Sequence, residues 1–286
     1  IGNYSNTPMI ITPQPITAKV ICKYCQSEHT VKYGQYKGVQ NYYCKDCKTK
    51  FSGTDALEHG RVSPSHIANA LHEFYSGMSF HEIEHGIDQN TGENISHTAV
   101  QKWVTKFTNK AISQTKNLHP KVGDTWIADE TFLHTDEKTS DPKGVCFWDI
   151  IDADTRFLLA TIVTTTRNKQ DAKRLMELAA KRAGKTPKTV VTDKLGAYID
   201  GIELAYGSDT KHKQGGPFDI ENNTNLIERF HGTLKERTKV MRDLKNTRTL
   251  KRFSDGWLVH YNFFRPHQYE EGVKIVYKIP AEVAGL

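Results

Sequence analysis

Three acidic residues stand where a carboxylate is either costly or conspicuous. Asp129 lies inside the apolar run WIADETF, Asp193 ends the apolar run KTVVTD, and Glu228 sits in NLIERFHGTLKER, residues 225 to 237. In that last segment Ile227, Phe230 and Leu234 recur at helical spacing and form a core stripe, with Glu228 on its margin. A carboxylate within an apolar strand costs free energy unless it is paired. If the three acids converge, their charges repel, and divalent cations bound between them make the cluster tolerable. The chemistry expected of such a site is metal-assisted. Glu130, next to Asp129, is an alternative first ligand on the residues alone.

A second constellation is made of sulfur. Cys22-Lys-Tyr-Cys25 and Cys44-Lys-Asp-Cys47 are two CxxC knuckles separated by eighteen residues, and Cys146 stands apart in VCFWDII as a buried small hydrophobe. Paired knuckles can supply four thiolates tetrahedrally to one structural zinc ion. The competing reading, two disulfides, needs an oxidising compartment. Between the knuckles, glycines and strand-forming residues describe a small hairpin, so residues 21–53 read as a zinc ribbon too small to hold together without its metal.

The elements that must position the acids follow from periodicity. After Pro120, GDTWIADETFLHT and VCFWDIIDADTRFLLATIVTT read as a three-stranded meander with its second turn at 152–155. A helix (KQDAKRLMELAAKRAG), the short strand ending in Asp193, a weak strand near 202–206, a loop holding Lys211 and Lys213, and the helix of Glu228 come next. This is a mixed α/β domain, with Asp193 at the strand edge where ligand sites of α/β sheets gather. A further helix carries Leu250, Phe253, Trp257, Tyr261 and Phe264 as a core stripe and is stopped by Pro266.

Ahead of this domain, residues 60–118 read as helical. Ser63-Pro64 opens a first helix that Gly77 ends; MSFHEIEHGI, a glycine- and asparagine-rich turn, and ISHTAVQKWVTKFTNKAI follow, with Ser96 as a cap and Gln101 and Lys102 on the polar face. Two short helices, a turn and then a helix with a polar leading end form a helix-turn-helix arrangement, whose second helix enters the DNA major groove. The chain of 286 residues has a net charge of +6, which suits a phosphate-backbone partner. It has no apolar run long enough to span a membrane. Its first residues, IGNYSNTPMIITPQP, lack both a secretory pattern and an initiating Met, and 1–20 read as a proline-spaced tail at a fragment edge.

WIADET, TDKLGAY and NLIERFHGTLKER, followed by HYNFFRPH at residues 260 to 267, resemble a DDE transposase of bacterial or archaeal insertion sequences, close to the insertion-sequence-six group in the thirty-four residues between Asp193 and Glu228. The resemblance covers residues 121–268, leaving 269–286 as a C-terminal tail. It implies an RNase H-like mixed sheet with flanking helices, and Asp129, Asp193 and Glu228 as ligands of two Mg²⁺ or Mn²⁺ ions. Such enzymes cut DNA to expose a 3′-hydroxyl and then use it to attack a target phosphodiester. No covalent protein intermediate is required. The implied partners are double-stranded DNA, at the element's terminal repeats and at the target, and further copies of the chain in a homodimer or larger assembly. The implied setting is the cytoplasm of a prokaryote, at the nucleoid.

Around the acids, Lys235 lies two helical turns from Glu228 on the same face and is either a phosphate contact or a solvated lysine. Arg229 and His231 adjoin the acid but are rotated off its face, and Arg229, Lys211 and Lys213 are candidate DNA contacts, as are Gln101 and Lys102. Two other readings share these residues: a DNA-binding regulator that performs no strand transfer, and an RNase H-like metal nuclease. Cleavage separates the first from a transposase, and joining to a target separates the second.

Overall fold

The computed structural model describes residues 20–36, 38–53, 62–135, 144–216, 219, 224–241 and 246–286. The expected tail at 1–20 falls almost wholly outside them, as do the turn at 136–143 and most of the loop before Glu228. The chain divides into two compact units, Ile1–His66 and Ile67–Leu286.

The first unit is a three-stranded antiparallel sheet of β1 (Thr30–Tyr36), β2 (Val39–Cys44) and β3 (Lys50–Ser52). The hairpin expected between the knuckles is β1–β2, and β3 adds a strand beyond the second knuckle. Among the described residues, Cys22, Cys44 and Phe51 form its buried core, with Val20, Tyr24 and Tyr42 packed around them. So small an apolar cluster cannot offset the chain entropy of a separate fold.

The second unit includes most of α1 (Pro64–Ser76), then α2 (Phe80–Thr91) and α3 (His97–Thr115). Ser79 and Glu82 form a capping box at the start of α2, Gly92 closes it in the left-handed conformation (φ 68°), and Ser96 caps α3. The helices read from the sequence are α1, α2 and α3, with Val100, Val104 and Thr108 as the buried stripe of α3 and Phe107 only half-buried.

The sheet that follows holds five strands: β4 (Thr125–Leu133), β5 (Val145–Asp152), β6 (Leu158–Thr164), β7 (Thr189–Thr192) and β8 (Lys211–Gln214), in the order β6-β5-β4-β7-β8. The first three run antiparallel, and β7 and β8 are parallel to β4. The helices between and after them are α4 (Lys169–Ala183), α5 (Gly196–Tyr206), α6 (Asn225–Lys239) and α7 (Thr247–Phe263). This is the expected mixed α/β domain, a five-stranded mixed sheet with flanking helices. All eight residues of β5 are buried, as expected of a central strand. One sheet face packs Trp126, Ala128 and Trp148 against Leu175, Met176, Tyr198 and Ile202 of α4 and α5. On the other face Phe147 meets Phe230, which in turn meets Tyr261 edge-on.

Three expectations are corrected. The weak strand near 202–206 is the C-terminal half of α5: Tyr198 and Ile202, four residues apart, are both buried on one helical face. The strand is instead β8, in the segment read as a loop. Its sequence, KHKQ, carries no apolar signal because it lies at the sheet edge. Phe264 is not in the core stripe of α7, for the helix has ended at Phe263 and Phe264 is 60% exposed. The residues read as a C-terminal tail form a hairpin, β9 (His267–Glu271) and β10 (Lys274–Lys278), turned by Gly272 at φ 63°, and a short helix α8 (Pro280–Val283). Ala281 and Ala284 are buried in the sheet's core, and Lys121 N donates to Ala284 O at 2.8 Å, so the end of the chain is built into the domain.

Candidate active site

The sheet register positions two of the three expected acids. β4 and β7 pair in parallel through Ile127↔Val191. Asp193 follows β7 directly, two residues beyond that pair. Although neighbours on a strand point to opposite faces, one carboxylate oxygen each from Asp129, Glu130 and Asp193 lies within 4.8 Å of the others. Asp193 is fixed locally, since Leu195 N donates to its Oδ1 at 2.9 Å. Glu130 forms an ion pair with Arg167 through Oε1, while its Oε2 is buried and makes no hydrogen bond of good geometry. Burial pushes the Asp129 carboxyl up to about 7, against the pull of His231 and with the help of the neighbouring Asp149 and Glu130 charges. Crowded, partly desolvated carboxylates with a vacant oxygen are a donor set suited to a hard divalent cation.

Glu228 is not among the oxygens within 4.8 Å. It is exposed on the first turn of α6, where Thr224 Oγ1 donates to its Oε1 at 3.0 Å. Its helix nevertheless reaches the site: His231, one turn on, places Nδ1 3.5 Å from Asp129 Oδ2. Glu228 therefore stands on the side of the sheet from which α6 faces Asp129.

His231 was read from the sequence as rotated off the face of the acid. It is buried, and its Nε2 lies 2.7 Å from Oδ2 of Asp149, a wholly buried carboxylate in the middle of β5. Burial opposes charging the imidazole, and Asp149, by charge and hydrogen bond together, outweighs it and raises the His231 pKa. Neither Asp149 nor Arg167 was singled out from the sequence. Asp149 carried a usable signal, a lone carboxylate in VCFWDII, which the cost of burying charge marks as needing a partner.

The expected DNA contacts are all exposed: Gln101 and Lys102 on α3, Lys211 and Lys213 on β8, and Arg229 and Lys235 on α6. The pairing of β8 puts Lys213 beside Val191, at the end of β7 that leads into Asp193.

In the first unit the four cysteines meet. The sulfurs of Cys22 and Cys47 are 3.6 Å apart and those of Cys25 and Cys44 3.5 Å, all four lie within 4.8 Å of one another, and none forms a disulfide. Tetrahedral thiolates on zinc, with bonds of about 2.3 Å, stand about 3.8 Å apart. Each close pair joins one knuckle to the other, so the arrangement fits a Cys₄ zinc site.

A family model described as "DDE domain" (DDE_Tnp_IS240) matches residues 123–267, half of the chain. The chain belongs to this DDE domain family. The matched segment runs from just before β4 to the start of β9 and contains every acid discussed above. DDE domains use divalent metal and carry out nucleotidyl transfer of the transposition and integration type. Among solved structures, the DDE domain is similar to the HTLV-2 integrase catalytic core domain in complex with magnesium, at 17% identity over 53% of this chain and 92% of that one with a TM-score of 0.39. It is also similar to the catalytic core domain of BIV integrase, at 15% identity over 57% and 93% with a TM-score of 0.39. A third similar structure is the simian T-cell lymphotropic virus intasome with a PP2A regulatory subunit, at 16% identity over 52% and 51% with a TM-score of 0.38. No curated protein matches the chain. Among the described residues no helix is long and apolar enough to cross a membrane.

Proposed function

We propose that the protein is a DNA transposase that binds the ends of a mobile element, cuts DNA there and joins the exposed 3′-hydroxyl to a target strand. The observation that supports this reading is the approach of carboxylate oxygens of Asp129 and Asp193 to within 4.8 Å of one another, beside the helix α6 that carries Glu228 and meets Asp129 through His231. Asp129, Asp193 and Glu228 would hold two Mg²⁺ or Mn²⁺ ions. Bound there, the ions supply charge stabilisation to both the attacking and the leaving oxygen of an in-line displacement at phosphorus.

The protein's own residues supply position. Arg167 draws the Glu130 carboxylate to itself, which favours Asp129 as the ligand from β4 and gives Glu130 a supporting role. Lys235 and Arg229 on α6, and Lys211 and Lys213 on β8, are exposed cations able to hold phosphates on either side of the acids. Recognition of the element's end would fall to α3, through Gln101 and Lys102, and to the ribbon, whose fold one structural zinc ion at Cys22, Cys25, Cys44 and Cys47 would maintain. Joining two element ends to one target calls for two active sites, hence a homodimer or larger assembly on DNA in the cytoplasm.

The test is strand transfer in Mg²⁺, using the full chain, a labelled duplex taken from the DNA flanking its own gene, a plasmid target and a Glu228→Gln control. Joined product that vanishes in the control supports the transposase. Cleavage without joining would reduce the reading to a metal nuclease, and specific binding with neither, under Mg²⁺ and Mn²⁺ alike, would replace it with a DNA-binding regulator.

A further inference from the structure

Outside the DDE acids and the cysteines, the described residues hold one more group of ligand-type side chains close enough to share an ion: His81, Glu84 and His97. His81 and Glu84 sit three residues apart on the first turns of α2, and His97 is the first residue of α3. Their donor atoms converge on a single oxygen. His81 Nδ1 lies 3.4 Å and His97 Nδ1 3.2 Å from Glu84 Oε2, and the two imidazole rings pack with centroids 4.0 Å apart.

We propose that His81 Nδ1, His97 Nδ1 and the Glu84 carboxylate form a second zinc-class site that ties α2 to α3, with a fourth position open to solvent.

His97 Nδ1 and Glu84 Oε2 satisfy a hydrogen bond at 3.2 Å, and the same distances suit ligand atoms that share an ion. An imidazole N–H···O bond centres near 2.9 Å, whereas ligand atoms on a tetrahedral zinc ion, with bonds of about 2.0–2.1 Å, stand about 3.3 Å apart. Both contacts fall at the second spacing. Two imidazoles and one carboxylate form a nitrogen-rich set that favours Zn²⁺, Co²⁺ or Ni²⁺ over Mg²⁺, so the site would not compete with the DDE acids for their cation. The scaffold is already in place: the Ser79–Glu82 capping box fixes the turn that carries His81 and Glu84, and Ser96 fixes the turn that carries His97. Both helices point their positive ends toward this place, which disfavours a cation. The Glu84 charge must offset that field, so the carboxylate is the ligand the site can least afford to lose. The side chains of His81 and His97 are 67% and 43% exposed, leaving room for water as the remaining ligand.

An ion here would hold the angle between the two helices of the helix-turn-helix segment. The inference stands apart from the strand-transfer reading, because it concerns neither the acids nor their reaction.

The experiment is a metal count on the full chain. Protein is dialysed against Zn²⁺ with excess Mg²⁺ present, and zinc per chain is measured for wild type, Glu84→Gln and His97→Ala. The expected result is two zinc ions per chain in wild type and one in each variant, with zinc affinity at the second site at least tenfold weaker. Zinc should also slow amide exchange across 92–96 in wild type and not in Glu84→Gln. Circular dichroism checks that the variants keep their helices, and because both altered positions are only half-buried, at least one variant should fold. One zinc per chain in wild type, or two in both folded variants, would overturn the site.

Discussion

His231 stands between two carboxylates from different strands: its Nε2 is 2.7 Å from Asp149 of β5 and its Nδ1 3.5 Å from Asp129 of β4. Asp149, by its charge and its hydrogen bond, holds the imidazole toward the charged form. α6 is thus tied to the sheet by a buried charge directly behind the acid expected to bind metal. Removing one partner of a buried pair leaves the other charge stranded, at a cost of about 3–5 kcal/mol. His231→Ala should therefore lose stability on that scale in urea unfolding. The double change Asp149→Asn with His231→Gln should cost clearly less than the two single changes added together. Additive costs would show that the two side chains are not coupled.

Much of the domain is legible in the sequence, and each exception has its own physical reason. Asp129, Asp193 and Glu228 could be placed because each interrupts or ends an apolar pattern that also fixes its strand or helix. The meander, α4, α6 and α7 followed from the same periodicities. β8 was missed because KHKQ is an edge strand with no buried face to impose an alternation. α5 was read in part as a strand because GAYIDGIELAY is rich in residues that suit either element, and its close packing on α4 decides the matter. The joining of Glu130 to Arg167, and of His97 to the His81–Glu84 pair of α2, depends on side chains brought together from separate elements, and spacing along the chain does not encode it.

The ribbon should depend on its metal while the DDE domain does not. Stripping zinc with a strong chelator, or replacing Cys44 with Ser, is expected to abolish amide protection across 20–53. Protection across β4, β5 and β6 should be left unchanged, because the sheet's core contains none of the ribbon's residues. Hydrogen exchange read by mass spectrometry distinguishes the two regions. Retained protection in the stripped ribbon would mean that the cysteines are not its organising element.

Gly256 of α7 lies under the helical segment. A Cβ there would come 2.0 Å from Tyr75 Oη of α1 and 2.6 Å from Thr108 Cγ2 of α3, two side chains that hydrogen-bond to each other at 3.0 Å. In an exposed helix, Gly→Ala gains about 1 kcal/mol. Overpacking of this kind costs about 1–3 kcal/mol and should dominate, with the Tyr75–Thr108 contact giving way. Gly256→Ala is therefore expected to lower the unfolding midpoint, and a raised midpoint would count against the packing of α1 and α3 on α7.

His260 sets the expected response to acid. It is buried on α7 beside Tyr75, with ring centroids 5.3 Å apart, and beside Trp257 and His72 at 5.7 and 5.9 Å. Burial, reinforced by the nearby positive charges of His72, Arg265 and Arg237, pushes its pKa down to about 3. An unfolded histidine titrates near 6.5. Between these values the unfolded chain binds a proton that the folded chain refuses, so the contribution of His260 is fully present above about pH 6.5 and is lost as the pH falls toward about 3. At pH 5 the loss amounts to about 2 kcal/mol. Asp152 and Asp255, buried carboxyls whose pKa values are raised by burial, act in the opposite direction. They are common to wild type and variant, so a difference measurement removes them. His260→Phe keeps an aromatic ring in the cluster and discards the titration. Its stability relative to wild type, measured by urea unfolding, should rise by about 2 kcal/mol between pH 7 and pH 5. The same difference at both pH values would show that His260 is not held neutral in the fold.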